Sequence, residues 1–182
     1  MKSMDLAKGR LAGVLDAGGR HALARQMLDH VLATLHEAGI DGVRVASGDG
    51  GTGDLNRDVA EAARLVQQEG ATQLLLVMAD LPYLGVADVA ALIEAGRDSP
   101  AVIAEAKDGG TNALLLRPPT ALEFAFATNA PSATRHAERA RAAGIVPTIV
   151  HRPGLARDID TPADLAALVS DHPAYRVFRH VA

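Results

Sequence analysis

Apolar residues in this chain occur in two kinds of stretch: short continuous runs, and longer segments in which they recur at helical spacing. Leu74, Leu75, Leu76, Val77 and Met78 form an unbroken run that ends at Asp80 and Pro82. Five residues are too few for an amphipathic helix, so the run predicts a strand buried on both faces, as in a parallel sheet. Residues 101–105 and 112–116 repeat the pattern across the turn Lys107, Asp108, Gly109, Gly110, Thr111. Two strands so close in the chain predict a hairpin-like excursion and therefore a mixed, mostly parallel sheet. Residues 43–46 and 145–150 predict two more short strands. Leu23, Met27, Val31 and Leu35 share a helical face and predict a helix over 23–38 that stops at Gly39. The same spacing predicts helices over 55–68, 86–95 and 133–143. A last helix opens at Thr161, Pro162 and Asp164, which combine a cap, a proline at the first helical position and a carboxylate in the electropositive first turn.

Alternation of strands and helices defines a three-layer α/β domain, here residues 1–170, followed by a tail, 171–182, without periodicity. The length of 182 residues and a hydrophobic content of 48% suit one ordinary core. The net charge of -4, with 3% aromatic residues and no Trp, carries neither the basic face nor the stacking platforms of a nucleic-acid binder. Absence of Cys excludes disulfides, thiolate metal sites and cysteine nucleophiles. No apolar run approaches the ~20 residues of a membrane span, and the first residues do not read as a signal peptide, so the expectation is a cytoplasmic protein without membrane contact.

Ligands of open α/β sheets bind beyond the carboxyl ends of the strands. Asp80 is the first charge to emerge from the 74–78 strand, where a carboxylate on a rigid element suits a divalent cation. On position alone it serves equally as a cap for the following helix. Lys8 and Arg10 stand in an N-terminal loop. The glycines from Gly48 to Gly53 are not followed by the Gly-Lys-Ser/Thr of a Walker loop.

In order along the chain stand Lys2 with Ala7-Lys8-Gly9-Arg10-Leu11, Leu55-Asn56, Ala79-Asp80-Leu81-Pro82, Gly110-Thr111-Asn112-Ala113-Leu114-Leu115, Ser132 with His136, and Asp158-Ile159-Asp160-Thr161-Pro162-Ala163-Asp164-Leu165. Across residues 2–169 this series resembles the guanylyltransferases of coenzyme F420 biosynthesis, the family acting on 2-phospho-L-lactate, phosphoenolpyruvate or 3-phosphoglycerate. The resemblance implies the Rossmann-like nucleotide-diphospho-sugar transferase fold, shared with the enzyme that makes the molybdenum cofactor dinucleotide. It also implies transfer of GMP from GTP to the phosphate of a small phosphorylated acid, with release of pyrophosphate. Such chemistry needs positioning and charge neutralisation rather than a covalent intermediate.

By the same resemblance Lys8 and Arg10 contact the triphosphate, Lys2 and Asn56 lie at the nucleotide, and Thr111, Asn129 and Ser132 at the acid. Asp80 and Asp160 are the pair expected to hold Mg²⁺, a hard cation that prefers carboxylate and phosphate oxygens, with Asp158 competing for the role. Thr128-Asn129 replaces the family's Phe-Gly pair, the strand expected before Lys2 is missing, and the connection over 48–54 is short. Another nucleotidyltransferase of the same fold and an inactive nucleotide-binding homologue are the alternatives, and a homodimer is the assembly this fold suggests.

Overall fold

The structure is a computed structural model and describes residues 8–46, 52–126 and 131–178. Its elements are α1 (Ala17–Glu37), α2 (Leu55–Gln68), β1 (Leu74–Val77), α3 (Val86–Asp98), β2 (Ala101–Glu105), β3 (Thr111–Leu116), α4 (Ser132–Ala142), β4 (Thr148–Val150) and α5 (Pro162–Asp171), with 3-10 turns at Gly9–Leu11 and Pro173–Phe178. The strands lie in the order β1-β3-β2-β4. β3 is antiparallel to both its neighbours, while β2 and β4 are parallel. Three strands therefore run one way and one the other, a mixed and mostly parallel sheet.

Strict alternation of side chains turns this sheet into the middle layer. Val102 and Ala104 of β2 and Ala113 and Leu115 of β3 pack with Val31 and Leu35 of α1 and with Val89 and Leu92 of α3. The intervening residues, Ala101, Ile103, Leu114 and Leu116, pack with Val59 and Ala63 of α2 and Ala133, Ala137 and Ala140 of α4. Burial on both faces is why β2 and β3 read as continuous apolar runs. Helix α3 approaches β3 so closely that a Cβ at Gly96 would lie 2.7 Å from Leu115 Cδ2.

Local chemistry sets the helix ends. Asp54 caps α2 by accepting from the amides of Asn56 and Arg57. Asp16 accepts from Gly19 N at 2.6 Å and starts α1 at Ala17, six residues before the apolar periodicity becomes visible at Leu23. Thr161 and Asp164 form a reciprocal capping box at α5, with Pro162 at its first position. Helix α3 is capped by Asp88, which accepts from Gly85 N at 3.0 Å, so Asp80 is not its cap.

The strand expected over residues 43–46 does not form. The segment pairs with none of the described strands, and Val43 and Val45 are 37% and 49% exposed; a β-branched run becomes a strand only where a ladder partner is present. In contrast, the aperiodic C-terminal segment does form structure. Tyr175 and Phe178 of the last 3-10 turn are buried with Leu11, Leu23, Met27, Ile159 and Leu168 in a third apolar cluster. No described helix is long and apolar enough to cross a membrane.

Candidate active site

Two constellations meet at the end of the sheet where β1 stops and β3 begins. The β1 to β3 ladder pairs Val77 with Ala113 and continues through Met78 N to Asn112 O at 2.9 Å. Asp80 thus emerges next to the Gly110–Thr111 turn. Rigid sheet positions both.

The first constellation is charged. Lys8 sits in the left-handed region, φ 57°, ψ 36°, at the start of the first 3-10 turn, a conformation few side chains adopt without support from their surroundings. Leu11, fully buried in the third cluster, anchors that turn. Lys8 Nζ consequently reaches Asp80 Oδ2 at 2.5 Å and Asp160 Oδ1 at 2.9 Å. Ile159 is buried in the same cluster, and the α5 capping box fixes the chain that follows it, with Asp164 also accepting from Asp160 N at 3.3 Å. With the residue between them turned inward, Asp158 and Asp160 both join Asp80, and one oxygen from each lies within 4.8 Å of the others. Arg10 is a peripheral member, 3.4 Å from Asp160 and 66% exposed.

Electrostatics follow from this crowding. Burial alone would push Lys8 toward its neutral form, but the charges and hydrogen bonds of Asp80 and Asp160 outweigh it and hold its pKa above the ordinary value. Burial, aided by the negative charges of Asp80 and Asp160, pushes the Asp158 carboxyl up to about 6. Three hard oxygen donors so placed, with an ammonium between two of them, fit a divalent cation.

The second constellation is neutral and enclosed. Thr111 and Ser132 are 5% and 3% exposed, and His136 is fully buried. Ser132 Oγ lies 3.0 Å from Thr111 Oγ1, which lies 3.0 Å from His136 Nδ1; on the far side of the ring, Nε2 accepts from Ala125 N at 2.9 Å. A register shift makes this possible. Ala104 pairs with Ala113 but Glu105 with Thr111, leaving Asn112 as an extra residue. Uninterrupted alternation would aim Thr111 toward the α1/α3 face with Ala113. Instead Thr111 meets α4, and Asn112 Nδ2 turns the other way to donate to Leu155 O at 2.8 Å. That bond, with Lys107 N to Ala156 O at 2.9 Å, ties the β2–β3 turn to the loop that carries Asp158 and Asp160.

Of the residues singled out from the sequence, Lys8, Arg10, Asp80 and Asp160 come together, and Thr111 and Ser132 come together beside them. Asn56 lies apart: its amide clamps Phe126, donating to Phe126 O at 2.9 Å and accepting from Phe126 N at 2.7 Å. Lys2 and Asn129 lie outside the described residues. Sequence reasoning missed the position of Asn112, for which the signal was a polar residue inside an apolar run, and gave His136 no role beyond its place in the motif with Ser132.

A three-layer α/β domain with clustered carboxylates and a lysine at the carboxyl end of its sheet has the charge and the placement to hold a phosphorylated ligand together with a cation. A crystal structure from Desulfovibrio desulfuricans G20, described provisionally as a nucleotide-diphospho-sugar transferase, has this fold: TM-score 0.74, 18% identity, covering 97% of this chain and 87% of that one. The chain belongs to the family described as Guanylyl transferase CofC like, whose model matches residues 1–176, and it is accordingly a GTP-dependent nucleotidyltransferase. It is 39% identical to the phosphoenolpyruvate guanylyltransferase of Rubrobacter xylanophilus over 92% of this chain and 90% of that protein. To the phosphoenolpyruvate guanylyltransferase of Sphaerobacter thermophilus it is 38% identical, over 95% and 91%.

Proposed function

We propose that this protein transfers GMP from GTP to the phosphate of a small phosphorylated carboxylic acid in coenzyme F420 biosynthesis. Phosphoenolpyruvate is the first candidate for the acid, with 2-phospho-L-lactate and 3-phosphoglycerate as the others. The observation that carries this reading is the meeting of the Lys8, Asp80 and Asp160 cluster with the Gly110–Thr111 turn at one end of the sheet.

A phosphate oxygen of the acid attacks the α-phosphorus of GTP, the bond from that phosphorus to the β-phosphate oxygen breaks, and pyrophosphate leaves. Two polyanions must approach one another, so the chain's task is to gather and balance charge. Lys8 and Arg10 bind triphosphate oxygens, Lys8 as a point charge and Arg10 through its planar fork. Asp80 and Asp160 hold Mg²⁺, with Asp158 beside them as a third carboxylate. When bound, the cation supplies Lewis-acid stabilisation of the charge on the phosphoryl oxygens. Thr111, Ser132 and Asn129 receive the acid, and Lys2 and Asn56 flank the nucleotide, Asn56 also through its hold on Phe126.

Pyrophosphate release with Mg²⁺, each of GTP, ATP and CTP, and each of the three acids tests this reading. Release with GTP and one acid, giving a product in which guanosine and the acid share a diphosphate by ³¹P NMR, is the expected result. Release without an acid, or none with any pair, would overturn it.

A further inference from the structure

The hydroxyls of Thr111 and Ser132 carry two protons, and the 3.0 Å bond between them uses one whichever way it points. What becomes of the other depends on the second 3.0 Å bond, from Thr111 Oγ1 to His136 Nδ1. The opposite side of the ring decides its direction. Ala125 N is a backbone amide and can only donate, so His136 Nε2, 2.9 Å away, must offer a lone pair. A neutral ring then carries its proton on Nδ1 and donates it to Thr111. Burial keeps the ring neutral, lowering its pKa to about 4.

With His136 donating, one hydroxyl proton of the pair is left over, and none of the described residues accepts it. Thr111 and Ser132 are nearly enclosed, so an O–H without a partner is destabilising there, and a ligand oxygen that accepts it relieves the penalty. Under the other tautomer, Thr111 would donate to Nδ1 and the pair would have no proton left. It would then present only lone pairs and repel an anion.

We propose that His136 is a positioning residue that fixes the polarity of the Thr111–Ser132 pair, making it a hydrogen-bond donor that selects a lone-pair oxygen of a phosphate or carboxylate. The inference rests on the reading that these hydroxyls meet the acid. His136 touches neither substrate nor reacting atoms; it acts by aiming a proton.

Two substitutions divide the ring's functions. The side-chain nitrogen of Asn stands where Nδ1 does, so His136→Asn keeps the donor to Thr111. The amide of Gln reaches the place of Nε2, so His136→Gln keeps the partner of Ala125 N and loses that donor. Long-range ¹H–¹⁵N correlation spectra of histidine-labelled protein, with the His136→Asn spectrum identifying the missing signals, should show wild-type Nδ1 protonated and Nε2 unprotonated. With phosphoenolpyruvate as the acid, His136→Gln should raise the acid's KM by about tenfold while the KM for GTP is unchanged. His136→Asn should stay within about threefold of wild type. A protonated Nε2, or an unchanged acid KM in His136→Gln when Thr111→Val raises it, would overturn the role of His136 alone. An unchanged acid KM in Thr111→Val would remove the underlying reading as well.

Discussion

The charged and neutral constellations lie side by side but solve opposite problems. Around Lys8, carboxylates are brought close enough to repel one another, and an ammonium holds them together at 2.5 and 2.9 Å. Around Thr111, every described member is uncharged at neutral pH, and specificity comes from the direction of a proton. The first suits a polyanion arriving with its cation. The second suits a small anion that is oriented by directed hydrogen bonds rather than by charge. Their different chemistry predicts that substitutions divide, with the charged group acting on turnover and the neutral group on use of the acid.

Asp80→Asn should give the largest effect. It removes a carboxylate from the proposed cation site and the shorter of the two Lys8 contacts, and should lower kcat on the order of 10³-fold. Steady-state rates, with circular dichroism to establish that the variant is folded, measure this.

Acid should act through the neutral group next. The pKa of His136 falls from 6.5 in the unfolded chain to about 4 in the fold. Between those values the unfolded state binds more protons than the native state. The contribution of His136 is therefore fully present above about pH 6.5 and is lost as pH falls toward 4, by at most on the order of 3 kcal/mol. Because the raised Asp158 carboxyl contributes with the opposite sign as pH falls below about 6, the loss is read as the difference between wild type and His136→Asn in urea unfolding at pH 7 and pH 4.5, with wild type losing more. Equal pH dependence in the two proteins would place the titrating group elsewhere.

Lys8→Met sharpens the comparison from the other side. Because Lys8 lies between two proposed cation ligands, its removal should tighten Mn²⁺ binding in the absence of nucleotide by about tenfold, while weakening GTP. Electron paramagnetic resonance titration reads the first change and steady-state kinetics the second; weaker Mn²⁺ binding would show that Lys8 organises the carboxylates rather than competing for them. The smallest effect is expected in the third apolar cluster. Among the described residues the buried Tyr175 hydroxyl has no hydrogen-bond partner, so Tyr175→Phe should change stability by no more than about 1 kcal/mol in thermal unfolding, in either direction.

Much of this architecture was legible in the sequence, for physical reasons that differ by element. Strand β2 stood out because burial on both faces leaves no room for polar residues; β1 shows the same apolar run, but the burial on both faces expected of it is not found, since it lies at the edge of the described sheet and is only half-buried. Helix α2 was legible from its apolar spacing, and the start of α5 from Thr161, Pro162 and Asp164, all local signals. Position alone left Asp80 divided between a cation ligand and a helix cap, and Lys8 and Asp160 were singled out by the ordered motifs, since their meeting with Asp80 depends on contacts 72 and 152 residues apart in the chain. Segment 43–46 misled because a strand is a property of a pair, and its pattern does not reveal whether a partner exists. The C-terminal turn was hidden because Tyr175 and Phe178 pack as isolated anchors without a period. The turning of Thr111 onto α4 was also hidden, since one extra residue in a ladder reverses a side chain without altering the apolar pattern.

The division of labour is tested most directly by initial rates of pyrophosphate release over a grid of GTP and phosphoenolpyruvate concentrations, for wild type, Asp80→Asn and Thr111→Val. The account predicts that Asp80→Asn loses kcat at every concentration, whereas Thr111→Val keeps the KM for GTP and raises that for the acid by about tenfold. Full turnover in Asp80→Asn, or an equal rise of both KM values in Thr111→Val, would contradict it.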